Sequence, residues 1–174
     1  MIPSFLPYTY VRGLAVDPNT LEVLVGCDNI LLYDSEGNYT GQRGSIGVLD
    51  TTYNNATNSW LVLHNFFSDI PRYPNYGTMF YSYDADFTAP LYSSVSSLTS
   101  GPGNILFTAT SNGLMEIDTF NGDLIYVWGC FGSGTSQFNT PEGIAYDSVN
   151  NLLYVSDDGN QRITVFRFAT TAGR

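Results

Sequence analysis

The sequence contains no lysine, and all six of its basic residues are arginines. Charged residues make up only 13% of the 174 positions, against about 25% in an average domain. Sixteen acidic residues give a formal net charge of −10. Because nucleic acids and anionic membrane surfaces are bound through Lys and Arg, this balance argues against both as partners.

Histidine and cysteine are almost as scarce. His64 is the single histidine, whereas a zinc site normally needs three or four ligands with several His or Cys among them. A Ser-His-Asp triad would have to be built on His64, and no nucleophile-elbow motif is present. Cys27 and Cys130 are too few for a disulfide framework, so we expect two free thiols. These absences favour a protein that is not an enzyme.

No apolar run reaches the 18 residues typical of a transmembrane helix, so no membrane insertion is expected. No stretch keeps the period of an amphipathic helix either. The chain consists instead of short β-prone segments separated by Asn-Gly and Gly-rich turns, such as Ser111-Asn-Gly113. We therefore predict an all-β fold, and 174 residues are enough for a single domain with a sizeable core.

Residues 131–166 carry the most informative pattern. A Gly-rich segment leads into Pro141-Glu-Gly-Ile-Ala-Tyr-Asp147, then Leu152-Leu-Tyr-Val-Ser-Asp157, a polar turn and Arg162-Ile-Thr-Val-Phe166. This order resembles a repeat of the NHL family, which runs approximately Gly-x-Phe-x-x-Pro-x-Gly-Ile-Ala-Val-Asp, Tyr-Val-x-Asp and Asn-x-Arg-Ile-x-Val-Phe. The resemblance implies a β-propeller blade, a four-stranded antiparallel sheet that repeats about every 40 residues.

The same pattern recurs earlier in the chain, where Gly13-Leu-Ala-Val-Asp17 matches Gly143-Ile-Ala-Tyr-Asp147. We predict a propeller of about four four-stranded blades that together form one domain over residues 1–174. Their approximate bounds are 11–46, 47–94, 95–130 and 141–174. The last blade supplies only three strands, whereas residues 3–9 form a spare extended segment. In closed propellers of this kind the N-terminal segment often completes the last blade, which covers exposed strand edges.

A count of four blades differs from the six that NHL propellers commonly have, and three architectures stay open. The four blades could close a compact ring by themselves. A second subunit could complete the ring, with the N-terminal strand exchanged between the chains. The chain could also be a fragment of a larger NHL-repeat protein.

The segment 65–77 is the candidate for partner binding. Propellers bind ligands at one mouth of the central channel, and here the sister blades use only two to four residues. The segment is rich in residue types that dominate protein interfaces, and its prolines limit the entropy lost on binding. The candidates are Phe66, Phe67, Arg72, Tyr73 and Tyr76. The alternative is that these aromatic side chains fold back as a lid on the channel.

Calcium is the cofactor that the alternative function would need. Calcium-dependent propeller lactonases bind metal at the channel mouth, and calcium requires only oxygen ligands. The carboxylates that could converge there are Asp28, Glu142, Asp157 and Asp158. No Asp-x-Asp-x-Asp-Gly loop is present, and Asp157 and Asn160 are better explained as turn residues. Arg162 is expected to pair with an Asp of its blade. We therefore expect no cofactor.

Two N-glycosylation patterns occur, at Asn38-Tyr-Thr40 and Asn55-Ala-Thr57. Both fall in predicted turns on the face opposite segment 65–77. Together with the lysine-free surface they favour an extracellular location, or the surface of a particle or filament. The predicted function is a non-catalytic protein-binding or assembly module. Its partner is a protein, which includes a second copy of this chain in a homo-oligomer or filament.

Overall fold

A computed structural model describes residues 10–45, 47–64, 70, 72–74, 95–111 and 113–168, with the backbone alone at 43–45 and 72–74. In these ranges the chain forms four antiparallel sheets, and each strand pairs with the next one along the chain. Blade 1 contains β1 (Gly13–Val16), β2 (Val23–Gly26), β3 (Asn29–Tyr33) and β4 (Tyr39–Ser45). Blade 2 contains β5 (Val48–Asn54), β6 (Ser59–His64) and β7 (Arg72–Pro74). Blade 3 contains β8 (Val95–Ser100), β9 (Ile105–Thr110), β10 (Gly113–Asp118) and β11 (Leu124–Trp128). Blade 4 contains β12 (Pro141–Asp147), β13 (Leu152–Asp157) and β14 (Arg162–Arg167).

The hydrophobic core lies between successive sheets rather than inside any one of them. β1 packs beside β5, β5 beside β8 and β8 beside β12, so the first strand of each blade lies innermost. β6 is buried at all six of its positions because its sheet is covered on both faces. Such two-sided burial explains why its sequence, Ser59-Trp-Leu-Val-Leu-His64, contains an uninterrupted apolar run.

Glycine at the start of β1 permits the close approach of blade 1 to blade 2. A Cβ atom at Gly13 would lie 2.9 Å from backbone atoms of Asp50. Any side chain there would force the two innermost strands apart, so the first Gly of the repeat pattern has a packing role in blade 1.

The hairpins that begin blades 1, 2 and 4 share one turn geometry. In each, the side chain of the residue at the turn start accepts a backbone N–H two or three positions later. Four positions after that start residue the backbone adopts a positive φ. The residues with positive φ are Leu21 (59°), Asn58 (47°) and Asn151 (54°). Asn tolerates this left-handed region, whereas Leu adopts it at a steric cost.

We expect Leu21→Asn to raise the free energy of unfolding by about 0.5–1 kcal/mol, because Asn occupies the left-handed region at lower cost. The Leu21 side chain is 55% exposed, so little burial is lost. Urea unfolding followed by circular dichroism measures the change. Val149→Asn, in the matching turn of blade 4 and without a positive φ, should leave stability unchanged. A variant no more stable than wild type would show that Leu21 is unstrained.

The structure agrees with the predicted all-β propeller of successive blades. Blade 2 differs. Arg72–Pro74, predicted as part of a loop, forms β7 and pairs with β6 in the register Trp60↔Tyr73. Residues 75–94 of the predicted second blade and the N-terminal segment 3–9 lie outside the described residues.

Candidate functional site

The innermost strands of the four blades line a central cleft of about 580 Å³. Most of its lining is neutral and includes Thr52, Ser97 and Thr99. Asp50 is the single charged residue among those that line it in the described chain. Its carboxylate accepts hydrogen bonds from Ser97 Oγ (2.6 Å), the Leu98 N–H (2.9 Å) and the Thr51 N–H (2.8 Å). Asp50 therefore links β5 to β8.

The cleft is open between the first and the last blade. In the part of the chain that the structure describes, β12 and β1 show no packing comparable to that at the three successive junctions. Leu14 on β1 is 62% exposed, and Ile163 on β14, which lines the same cleft, is 63% exposed. In the described residues each end of the blade array therefore exposes part of a sheet face, whereas Leu31 and Tyr33, which lie opposite Val25 and Val23 in blade 1, are buried.

We call these surfaces the blade 1 face and the blade 4 face. Cross-strand pairs fix their membership, because directly opposed residues point to the same side of a sheet. The blade 1 face consists of Leu14, Val16, Val23 and Val25. The blade 4 face consists of Ala145, Tyr154, Ile163 and Val165. The same cross-strand pairs also place Ser156 and the exposed Arg167 on the side of blade 4 that carries Tyr154 and Val165, so the apolar residues form only part of that face.

A buried carboxylate fastens the Gly-rich segment 131–139 to blade 4. Asp157 is fully buried and accepts hydrogen bonds from the Asn139 N–H (2.7 Å), Asn160 Nδ2 (2.8 Å) and Arg162 Nε (3.0 Å). The Arg162 guanidinium also donates to three carbonyl oxygens of the segment, those of Ser133, Gly134 and Gln137. The prediction that Arg162 pairs with an Asp of the blade is confirmed, whereas Asp157 accepts its backbone hydrogen bond from Asn139 and not from its own turn.

The candidate calcium ligands are not brought together in the described residues. No group of three or more His, Cys, Asp or Glu side chains suited to a metal ion occurs there. Both oxygens of Asp157 accept the hydrogen bonds given above. The other three candidates, Asp28, Glu142 and Asp158, are exposed.

Hydrogen bonding lowers the pKa of three aspartates. Burial raises the pKa of Asp157, but the bonds from Asn160, the Asn139 N–H and Arg162 outweigh it, and the pKa lies below its ordinary value. Asp34 and Asp147 are turn residues whose pKa is lowered by hydrogen bonds from Asn38 and Asn150 respectively. All three carboxylates are thus held in the charged form.

Acid should therefore destabilise the fold in a way that depends on Asp157. A carboxyl whose pKa is lower in the folded than in the unfolded state contributes fully above the unfolded value of about 3.9. That contribution disappears as the pH falls through the folded pKa. We expect the urea midpoint to decrease between about pH 5 and pH 2, and less steeply in Asp157→Asn than in wild type. Equal slopes would contradict the assignment.

The structure describes some of the remaining predicted binding and glycosylation residues and not others. Arg72 and Tyr73 lie in β7, whereas Phe66, Phe67 and Tyr76 lie outside the described residues, so binding by this segment stays a prediction. Asn38 and Asn55 are exposed in the turns β3–β4 and β5–β6. The Asn38 amide donates to the Asp34 carboxylate (3.0 Å), and Asn55 Oδ1 accepts from Asn19 Nδ2 (3.2 Å).

Sequence reasoning did not identify the two end faces. The signal was present, because β2 and the start of β13 are apolar at successive positions although they belong to the terminal blades. A periodicity argument assigns such strands to a two-sided core without showing what covers the second side. Only the arrangement of the blades shows that, within the described chain, no further blade packs on the second side of the sheets of blades 1 and 4. No helix in that part of the chain is long and apolar enough to cross a membrane.

Comparisons with known proteins support the fold. The NHL repeat model matches residues 138–166. A search of curated proteins finds no match. The structure is similar to the computationally designed protein Ika4, with a TM-score of 0.60 and 11% identity over 95% of both chains. It is also similar to the Cps50 β-propeller domain of Myceliophteria thermophila, with a TM-score of 0.69, 15% identity and 95% of this chain covered.

A third similar structure is a chain of the nidogen/laminin complex, with a TM-score of 0.70, 14% identity and 92% of this chain covered. The chain spans only 54% of the Cps50 domain and 62% of the nidogen/laminin chain. At these identities the likeness concerns the fold alone. The NHL match covers the elements that the Asp157–Arg162 pair holds together, β12 to β14 with Phe138. The chain thus has a β-propeller fold, and its fourth blade matches the NHL repeat.

Proposed function

We propose that the protein is a non-catalytic protein-binding or assembly module that uses the apolar faces at the two ends of its blade array. The observation that carries this proposal is the exposure of large apolar side chains along both faces. Leu14, Ile163 and Val165 are 62%, 63% and 48% exposed. Contiguous apolar patches of this kind mark surfaces that another chain covers, because water in contact with them is unfavourable.

Two further features favour binding over catalysis. Asp50, the charged residue of the cleft, is already engaged by three donors between the blades. The fold is also shared with a chain of the nidogen/laminin complex, a structure of proteins bound to each other. Propellers hold many interaction surfaces on a rigid scaffold, and function depends on the surface rather than on the fold.

An extracellular setting, or the surface of a particle or filament, is part of the proposal. It is supported by the absence of lysine and by the exposure of both glycosylation acceptors, Asn38 and Asn55. Mass spectrometry of the protein from its native source tests it. Glycans at either asparagine would support the proposal, and unmodified peptides at both would oppose glycosylation.

A photo-crosslinking experiment tests the binding surface. A photoreactive amino acid replaces Ile163 on the blade 4 face or, as a control, Val149, which is 86% exposed in a turn away from that face. We expect one discrete protein product from position 163 in extracts of the source organism and none from position 149. Excess wild-type protein should compete, whereas excess Ile163→Glu should not. Equal labelling from both positions would overturn the proposed surface.

The calcium-dependent hydrolase is tested separately. A binding module predicts the same melting temperature with calcium and with EDTA, because no metal contributes to folding. A calcium-dependent rise in melting temperature that is abolished by Asp28→Asn would favour the hydrolase. Asp123→Asn, at an exposed turn carboxylate outside the candidate set, is the matched control.

A further inference from the structure

We infer that the partner of the two end faces is a second copy of this chain, and that two copies close a single ring of eight blades. This inference rests on the proposed function, since it uses the same faces, and it adds the identity of the partner. The internal repeat supports this inference. It gives each residue of the end faces an equivalent position in another blade, where the residue is packed between two blades.

The exposed residues of the blade 4 face have buried counterparts in blade 1. Alignment of the repeats at Gly13 and Gly143 makes Ala145, Tyr154, Ile163 and Val165 equivalent to Ala15, Leu24, Ile30 and Leu32. These four counterparts pack against blade 2 in one hydrophobic cluster with Val48 and Trp60. The blade 4 face is therefore the side that a blade of this chain presents to the next blade.

The blade 1 face shows the converse relation. Its members Leu14, Val16, Val23 and Val25 are equivalent to Ile144, Tyr146, Leu153 and Val155. All four of these counterparts pack in the cluster between blades 3 and 4. The blade 1 face is thus the side that a blade presents to the preceding blade. The array ends with one face of each kind, so blade 4 of one copy can pack on blade 1 of another as the internal junctions do.

Two copies related by a twofold axis satisfy both faces of both chains at once, which leaves no uncovered end. In the described residues β1 packs against β5 but not to a comparable extent against β12, and Leu14 and Ile163 are exposed in the cleft that lies between them.

Charge sets the condition for association. Each chain carries −10, and this net charge opposes dimer formation at low ionic strength. The eight apolar residues named for the two faces are uncharged, and Asp147 and Arg167 lie beside them at one end of the same side of blade 4. Added salt should therefore increase the dimer fraction, because it screens the repulsion and leaves the apolar contact intact.

Sedimentation and light scattering on the purified chain test the ring. Wild type is expected at twice the mass of the chain. Ile163→Glu, on the blade 4 face, and Leu14→Glu, on the blade 1 face, should each be monomers, since each removes both junctions of the dimer. Val149→Glu carries the same charge change outside the faces and should stay dimeric. Circular dichroism checks that the monomeric variants remain folded, as expected for substitutions at exposed positions.

A mixture of Ile163→Arg and Leu14→Glu distinguishes the ring from other dimers. Each variant alone has no intact junction, whereas their heterodimer has one wild-type junction and one with opposite charges. The mixture should therefore recover dimer. Loss of the dimer in only one of the two single variants would overturn the ring, because it would indicate that like faces associate. A wild-type monomer, or any mass other than twice the chain, would also overturn it.

If the protein does not form the eight-bladed dimer, the crosslinking experiment still tests the proposed binding function. A monomer whose Ile163 position crosslinks to a different protein would retain the binding function and exclude the second copy as partner. A monomer without any crosslink from that position would remove both proposals. A monomer in which Leu14 and Ile163 are protected from solvent would instead indicate a self-closed ring of four blades.

Discussion

Asp157→Ala is expected to lower the free energy of unfolding by about 3 kcal/mol, one of the largest effects of any single side chain outside the apolar core. The carboxylate is fully buried and accepts three hydrogen bonds, one of them from a guanidinium. Alanine leaves the Asn139 N–H and the Arg162 charge without their acceptor. Because the Arg162 side chain is 33% exposed, water replaces part of the loss, and the effect lies at the low end for a buried pair.

Urea unfolding of wild type, Asp157→Ala and Asp158→Ala measures this effect. Asp158 is the adjacent exposed carboxylate, and its removal should change the free energy by less than about 0.5 kcal/mol. Hydrogen exchange gives a second readout, since segment 131–139 depends on Arg162 for three of its carbonyl contacts. We expect faster exchange at 131–139 in Asp157→Ala and unchanged exchange in blade 1. Equal losses in the two variants would show that the buried cluster does not stabilise blade 4.

The fold was predictable because short sequence patterns, which repeat along the chain, indicate its strands and turns. The Gly-x-Ala-x-Asp pattern at Gly13 and Gly143 marks the innermost strands, and each is followed by a hairpin whose turn begins at the Asp. The NHL resemblance also indicated that Arg162 pairs with an Asp of its blade, and the structure identifies that residue as Asp157. These features depend on residues close in sequence, so they require no knowledge of how the blades are arranged.

The candidate surfaces were not predictable in the same way. Val25 in blade 1 and Val155 in blade 4 are repeat equivalents, yet Val155 is fully buried and Val25 is only partly so. The difference lies in which sheet stands beside each blade, and no local pattern records it. Strand β7 was missed for a related reason. Its three residues include Pro74, which is atypical of a strand and is tolerated here at the end of the pairing with β6.

Asp50→Ala is expected to lower the free energy of unfolding by about 2–3 kcal/mol and to loosen the junction between blades 2 and 3. Asp50 occupies the repeat position at which blades 1 and 4 have Gly13 and Gly143. Where blade 1 uses the close approach of Gly13 to the backbone of β5, blade 2 uses a carboxylate to hold β8. Its removal leaves the Leu98 N–H and the Ser97 hydroxyl without their shared acceptor.

A double-mutant cycle with Ser97→Ala isolates the link between the blades. Ser97→Ala alone removes one of the three bonds and should cost about 1 kcal/mol. Because the two side chains contact each other directly, the double variant should be less destabilised than the sum of the single variants. Simple additivity would contradict the direct bond. Asp50→Asn should fall between wild type and Asp50→Ala, since an amide retains one acceptor but presents a donor toward Ser97 or Leu98. The order of the free energies of unfolding of wild type, Asp50→Asn and Asp50→Ala therefore separates the loss of charge from the loss of the acceptor. It also tests whether Asp50 stabilises the junction between blades 2 and 3.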